Sequence, residues 1–127
     1  MRFDHIAFEV SDLDASVAFY VNRLGFTESW RHRNEEEHEE CVFLMQGDVR
    51  LELLSRLDGS FCAPQDPVAP YCPHLALGVD DLDAAVADLQ REGVPILRGP
   101  LSVTGKVRWL YFADPDQNVI ELVEWIG

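Results

Sequence analysis

The chain has 127 residues, 47% hydrophobic and 26% charged, the balance of a globular protein large enough to bury a core. Ten Lys and Arg against 23 Asp and Glu leave a net charge of −13, which argues against nucleic acid or an anionic membrane as a partner held by bulk charge. No apolar run approaches the ~18 residues of a membrane span, and Met1-Arg2-Phe3-Asp4-His5 lacks the apolar core of a signal peptide, so a cytoplasmic protein is expected.

Residues 2–10 alternate as a strand, with Phe3, His5, Ala7 and Glu9 on one face and Ile6, Phe8 and Val10 on the other. Ser11 or Asp12 caps a helix with Leu13, Val17, Tyr20 and Leu24 on one stripe, and Gly25 ends it. Residues 26–31 and 41–46 read as strands, and the charge run Arg33 to Glu40 between them as a solvated hairpin tip. Cys41 reads as a buried thiol. With Cys62 and Cys72 it makes an odd set without CxxC spacing, which fits reduced cysteines. Gly47-Asp48 is a turn signal, and residues 49–56 form a fourth strand with Arg50, Glu52, Leu54 and Arg56 on one face.

Residues 58–72 contain Gly59, Pro64, Pro67 and Pro70 and read as a linker, long enough to help cover a binding site. Residues 74–79 are again a strand. Asp80 or Asp81 caps a helix carrying Leu82, Val86 and Leu89, and Gly93 ends it. Val94 to Leu97 begins a short edge segment, because Pro95 has no N–H for a central ladder. Gly99-Pro100 and Thr104-Gly105 bound a loop, 107–113 is a strand, Asp114 to Asn118 a turn and 119–126 the last strand. The expected class is α+β: two tandem β-α-β-β-β modules, about 1–57 and about 73–127, in one domain spanning 1–127.

The second half repeats the first. His5 to Ala18 and His74 to Ala87 are identical at nine of fourteen positions, and Arg50-Leu51-Glu52-Leu53-Leu54 aligns with Val119-Ile120-Glu121-Leu122-Val123 at the same offset of 69. Each module thus carries a His near its start and a Glu near its end. A single such residue reads as the solvent-facing half of an alternating strand. Four in register read as a set: two imidazoles and two carboxylates suit a divalent transition metal, with two further positions open to water.

The paired modules resemble the vicinal-oxygen-chelate superfamily, which includes glyoxalase I, methylmalonyl-CoA epimerase, extradiol dioxygenases, fosfomycin-resistance enzymes and bleomycin-resistance proteins. The motifs that carry the resemblance are His5 before the first helix, Arg50-Leu51-Glu52-Leu53, Pro73-His74-Leu75-Ala76-Leu77 and Phe112-Ala113-Asp114-Pro115-Asp116-Gln117-Asn118-Val119-Ile120-Glu121-Leu122. The resemblance implies a curved, partly open barrel-like sheet around a metal site. It also implies a homodimer, and His5, Glu52, His74 and Glu121 as ligands in the glyoxalase I pattern, with Glu121 also the catalytic base and Glu52 its counterpart. Bacterial glyoxalase I has Arg four residues after the first His and Asn four after the first Glu. This chain has Glu9 and Arg56. Both changes fall on the cavity side, where Glu9, Arg56, Lys106 and Trp109 are the expected substrate contacts.

A divalent ion at such a site (Ni, Zn, Co or Mn) acts as a Lewis acid that stabilises the enediolate formed by proton abstraction beside a carbonyl. Returning the proton to the neighbouring carbon isomerises the substrate, with glutathione as co-substrate in the glyoxalase I case. Returning it to the same carbon epimerises it, as in the methylmalonyl-CoA enzyme. The other class of reading is a non-catalytic drug-binding protein of the bleomycin-resistance kind, for which the acidic charge would suit a cationic ligand. Metal content separates the two classes.

Overall fold

The computed structural model describes every residue except 63, so that position of the expected linker lies outside the described residues. The chain divides into two compact units, Met1–Ala63 and Pro64–Gly127. Among the described residues no helix is long and apolar enough to cross a membrane.

The first unit runs β1 (His5–Glu9), α1 (Leu13–Leu24), β2 (Thr27–Asn34), β3 (Glu39–Gln46) and β4 (Val49–Arg56). Its four strands form one open sheet in the order β1-β4-β3-β2, with β1 and β4 parallel. Asp12 is the cap of α1: its backbone is extended and its carboxylate accepts from the Ala15 N–H at 3.0 Å. At the other end Gly25 takes φ +77°, a left-handed conformation that glycine adopts without a steric penalty, and its N–H donates to the Tyr20 carbonyl. The buried stripe of α1 is Leu13, Ser16 and Tyr20. Val17 and Leu24 of the expected stripe are half-buried at its flank. Leu51 and Leu53 of β4 and Val42 and Leu44 of β3 are fully buried on the face toward this helix. That parity turns Arg50, Glu52, Leu54 and Arg56 to the opposite face, as the alternation requires.

The hairpin of β2 and β3 reaches further into the charge run than expected, so only Glu35 to His38 form the turn. Opposite charges explain the extension. Arg33 lies across from Glu40 in the ladder, and Arg31 reaches Glu40 at 3.7 Å. The Asn34 side chain accepts from the Glu37 N–H at 3.0 Å and closes the tip.

The second unit repeats the order with β5 (His74–Gly78), α2 (Leu82–Arg91), β6 (Ile96–Val103), β7 (Val107–Ala113) and β8 (Val119–Trp125), as a sheet β5-β8-β7-β6 with β5 and β8 parallel. Asp81 caps α2, accepting from Ala84 N–H at 3.0 Å, the counterpart of Asp12 at the same offset. Leu82 and Leu89 of the helix and Leu110, Phe112, Ile120 and Leu122 of the sheet are the buried core of this unit. Arg108 shares that face. It donates to Asp83 of α2 at 2.8 Å, and Glu124 in turn accepts from the Leu82 N–H at 3.1 Å.

β6 departs from expectation. Residues 99–103, read as a loop, continue the strand through two register shifts, between Ile96 and Arg98 and between Arg98 and Leu101. The second of these bulges absorbs Gly99 and Pro100, and an edge position tolerates a proline without an N–H. Gly99 sits at φ +108°, where an added Cβ would meet the Trp109 carbonyl oxygen at 2.9 Å and Leu110 Cα at 3.0 Å. Gly99→Ala is therefore expected to lower stability by about 1–3 kcal/mol, from backbone strain and the close contact. Thermal or urea unfolding checks this, and an unchanged midpoint would refute it.

Candidate functional site

In module 1 the parallel register sets His5 opposite Arg50 and Ala7 opposite Glu52. His5 and Glu52 are thus diagonal neighbours on the face away from α1, within reach of long side chains. The small Ala7 beside Glu52 leaves room for the imidazole to lean along the strand, and His5 Nε2 comes to 3.3 Å from Glu52 Oε1. The other ring nitrogen, Nδ1, donates to Asp4 Oδ2 at 2.7 Å, and Arg50 Nη1 donates to Asp4 Oδ1 at 3.1 Å. The hydrogen bond from His5 is the chief reason the Asp4 carboxyl lies below the usual range. Phe43, directly across β3–β4 from Glu52, packs its ring edge-on to His5 at 5.2 Å. Burial, then the Glu52 charge, pushes the Cys41 thiol up. It is a buried thiol, as expected.

Module 2 reproduces this geometry. Ala76 lies opposite Glu121, and His74 Nε2 is 2.8 Å from Glu121 Oε2. Tyr111 stands across β7–β8 from Glu121 and packs edge-on to His74 at 5.5 Å, the counterpart of Phe43. Pro73 occupies the place of Asp4 and offers no acceptor side chain. The linker compensates: Tyr71 adopts φ +61°, and its carbonyl accepts from His74 Nδ1 at 3.0 Å. Its ring packs on Tyr111 at 4.8 Å. Burial first, then the Glu121 charge, pushes the Tyr111 phenol up, with the Trp109 side-chain hydrogen bond opposing. The Asp114 to Asn118 turn fixes this register. Asp114 accepts from the N–H groups of Asp116 at 2.8 Å and Asn118 at 2.9 Å and from the Asn118 amide at 2.8 Å.

The donor chemistry of both pairs fits a metal. Nδ1 of each imidazole faces an acceptor, Asp4 or the Tyr71 carbonyl, and so carries its proton. In the neutral ring Nε2 then presents a lone pair toward a carboxylate oxygen that also can only accept. Two acceptors so close are stable only with a proton or a metal cation between them. An Nδ1–H held by a carboxylate or carbonyl is the usual outer support of a ligating imidazole. Among the described residues no group of three or more His, Cys, Asp or Glu side chains is placed to hold a metal ion.

The model of the glyoxalase/bleomycin resistance protein/dioxygenase superfamily matches residues 2–122. The chain belongs to this superfamily. Among individual relatives, YwkD of Bacillus subtilis (strain 168) is 39% identical over 94% of both chains. A lactoylglutathione lyase of Salmonella typhimurium is 30% identical over 98% of this chain and 93% of its own. The solved trypanothione-dependent glyoxalase I of Leishmania major aligns with a TM-score of 0.78 at 30% identity, covering 98% of this chain and 86% of its own.

This superfamily member differs between its modules in what surrounds each pair. Arg56 Nη2 donates to Glu9 Oε2 at 3.2 Å, four residues along both strands from His5 and Glu52 and on the same face. That ion pair lines a cleft of ≈ 300 Å³ whose other walls include the carboxylates of Glu37, Glu39 and Asp58 and the His38 ring. Trp109 lies on the site face of β7, two residues from Tyr111, whereas Lys106 Nζ sits over the Trp125 ring at 5.6 Å, in the turn before that strand. The sequence did not single out Asp4, Tyr71 or Tyr111 as site residues. The signal for Tyr111 was available, since it shares Trp109's parity and lies ten residues before Glu121 across a five-residue turn. Asp4 was visible as the acceptor beside His5. Tyr71 was not, because its contact depends on a left-handed backbone in an irregular segment.

Proposed function

We propose that this protein is a metal-dependent lyase or isomerase of the glyoxalase I type, acting on a small oxygenated substrate or its thiol adduct. The observation that carries the reading is the twofold His–Glu register, each imidazole braced at Nδ1 and turned by Nε2 toward its carboxylate. His5, Glu52, His74 and Glu121 would hold one divalent cation (Ni, Zn, Co or Mn), which when bound withdraws charge from two adjacent substrate oxygens. The chain's own residues do the rest. Glu121 takes the proton from the carbon beside the carbonyl and returns it to the neighbouring carbon. Tyr111, across the ladder from Glu121, walls the proton-transfer side, and Tyr71 packs behind it. Glu9 and Arg56 meet the far end of the substrate. The active form is a homodimer.

The acidic cleft favours one alternative, a binder that sequesters a cationic ligand without turnover. Metal separates the two. Dialysed protein titrated with Zn²⁺ or Ni²⁺ is expected to take up about one ion per chain, with ligand distances of about 2.0–2.3 Å to His nitrogens and carboxylate oxygens. No uptake after reconstitution would favour the binder. A screen of methylglyoxal with glutathione and with other thiols then identifies the adduct turned over.

A further inference from the structure

The two halves of the repeat are braced differently, and the difference lies at two matched positions. Asp4 and Arg50 of module 1 correspond to Pro73 and Val119 of module 2 at the offset of 69. Where module 1 has a carboxylate clamped by a guanidinium, module 2 has two apolar residues, and a neutral carbonyl from Tyr71 does the bracing. We propose that Asp4, oriented by Arg50, is a positioning residue that fixes His5 and strengthens it as a metal ligand, a brace that module 2 lacks. This inference rests on the metal-dependent reading above.

The chemistry follows from the hydrogen bonds. Asp4 uses its two carboxylate oxygens separately, Oδ2 on His5 Nδ1 at 2.7 Å and Oδ1 on Arg50 Nη1 at 3.1 Å. Arg50 is two residues before Glu52 on the same face of β4, so the Arg50–Asp4–His5–Glu52 chain closes on a single strand pair. A carboxylate on Nδ1–H raises the donor strength of the opposite nitrogen more than a carbonyl does, because it carries a full charge. His5 is therefore the stronger ligand of the two imidazoles. His74, braced by the neutral Tyr71 carbonyl, would be the weaker of the two.

The test uses the intact chain and zinc. Zinc affinity is measured by competition with a chromophoric chelator, and the His5 and His74 Nδ1–H resonances of the zinc-loaded proteins by nitrogen–proton NMR. Asp4→Ala is expected to weaken zinc binding about 10–100-fold and to lose or shift the His5 Nδ1–H signal while that of His74 stays. Asp4→Asn, which keeps a neutral acceptor like that of module 2, is expected to fall between. Arg50→Ala discriminates orientation from bulk charge. If Asp4 acts by orientation, losing its clamp weakens zinc binding. If it acts only as a nearby negative charge, removing the cation tightens binding and the proposal falls. Equal affinities of wild type and Asp4→Ala, or an unchanged His5 resonance despite lost affinity, also overturn it. Absence of zinc binding by the wild type would instead remove the metal-dependent reading and this inference with it.

Discussion

Glu121→Gln is expected to lower turnover by about 10²–10⁴-fold, the usual contribution of a positioned general base, while bound metal is largely retained. The two side chains have the same shape, so the β8 register and the contact with His74 Nε2, 2.8 Å in the wild type, are preserved. An amide oxygen still ligates a cation but takes no proton. The matched variant Glu52→Gln is expected to lose less. The aromatic positions differ in the same sense: Phe43 lies across the ladder from Glu52 and Tyr111 across from Glu121, so the ring opposite Glu121 carries a hydroxyl and the ring opposite Glu52 does not. The measurement is kcat on the adduct returned by the thiol screen, with metal content determined on the same samples. Full activity in Glu121→Gln would move proton transfer to Glu52 or remove this mechanism. A loss of metal parallel to the loss of turnover would reduce Glu121 to a ligand.

The repeat carried most of the fold into view from the sequence alone. A fixed offset relating two helix caps, two alternating first strands and two last strands leaves little freedom, and Asp12 and Asp81 cap their helices as that offset requires. The strand parities that put His5 and Glu52 on one face, and His74 and Glu121 on another, follow from the buried Leu and Ile residues flanking each Glu. Legibility ended where local rules conflict with tertiary pairing. Gly99-Pro100 is loop chemistry by composition, yet the bulged edge of β6 accommodates both. The bracing of His74 was hidden for a related reason. It comes from a backbone carbonyl, which every residue has, and only the left-handed turn at Tyr71 aims it. Glu9 and Arg56 were legible as departures from the glyoxalase I pattern, and the two side chains pair with each other.

That pair sets the last expectation: methylglyoxal–glutathione hemithioacetal should be a poor substrate of the wild type, and Glu9→Arg should improve it. Four residues of strand separate Glu9 from His5, about 13 Å at the usual rise of a strand. A substrate reacting at the His–Glu pairs would therefore bring its tail, not its reacting carbon, to Glu9. Glutathione carries two carboxylates and one ammonium. For one of those carboxylates to bind Arg56, the guanidinium must give up Glu9, and the incoming charge then faces Glu9, with Glu37, Glu39 and Asp58 along the same cleft. Like charges brought together in a partly desolvated site cost several kcal/mol, and each 1.4 kcal/mol is a factor of ten. Glu9→Arg removes the repulsion and frees Arg56 for a bidentate carboxylate, so kcat/KM on the hemithioacetal is expected to rise at least about tenfold. The gain should shrink with added salt, because the cleft is open to solvent and its charges are screened. Adducts of thiols with neutral or cationic tails should show the reverse preference, favouring the wild type over the variant. Wild-type turnover of the hemithioacetal at about 10⁵ M⁻¹s⁻¹ or above would show that Glu9 does not exclude glutathione, and the chain would then act as an ordinary glyoxalase I.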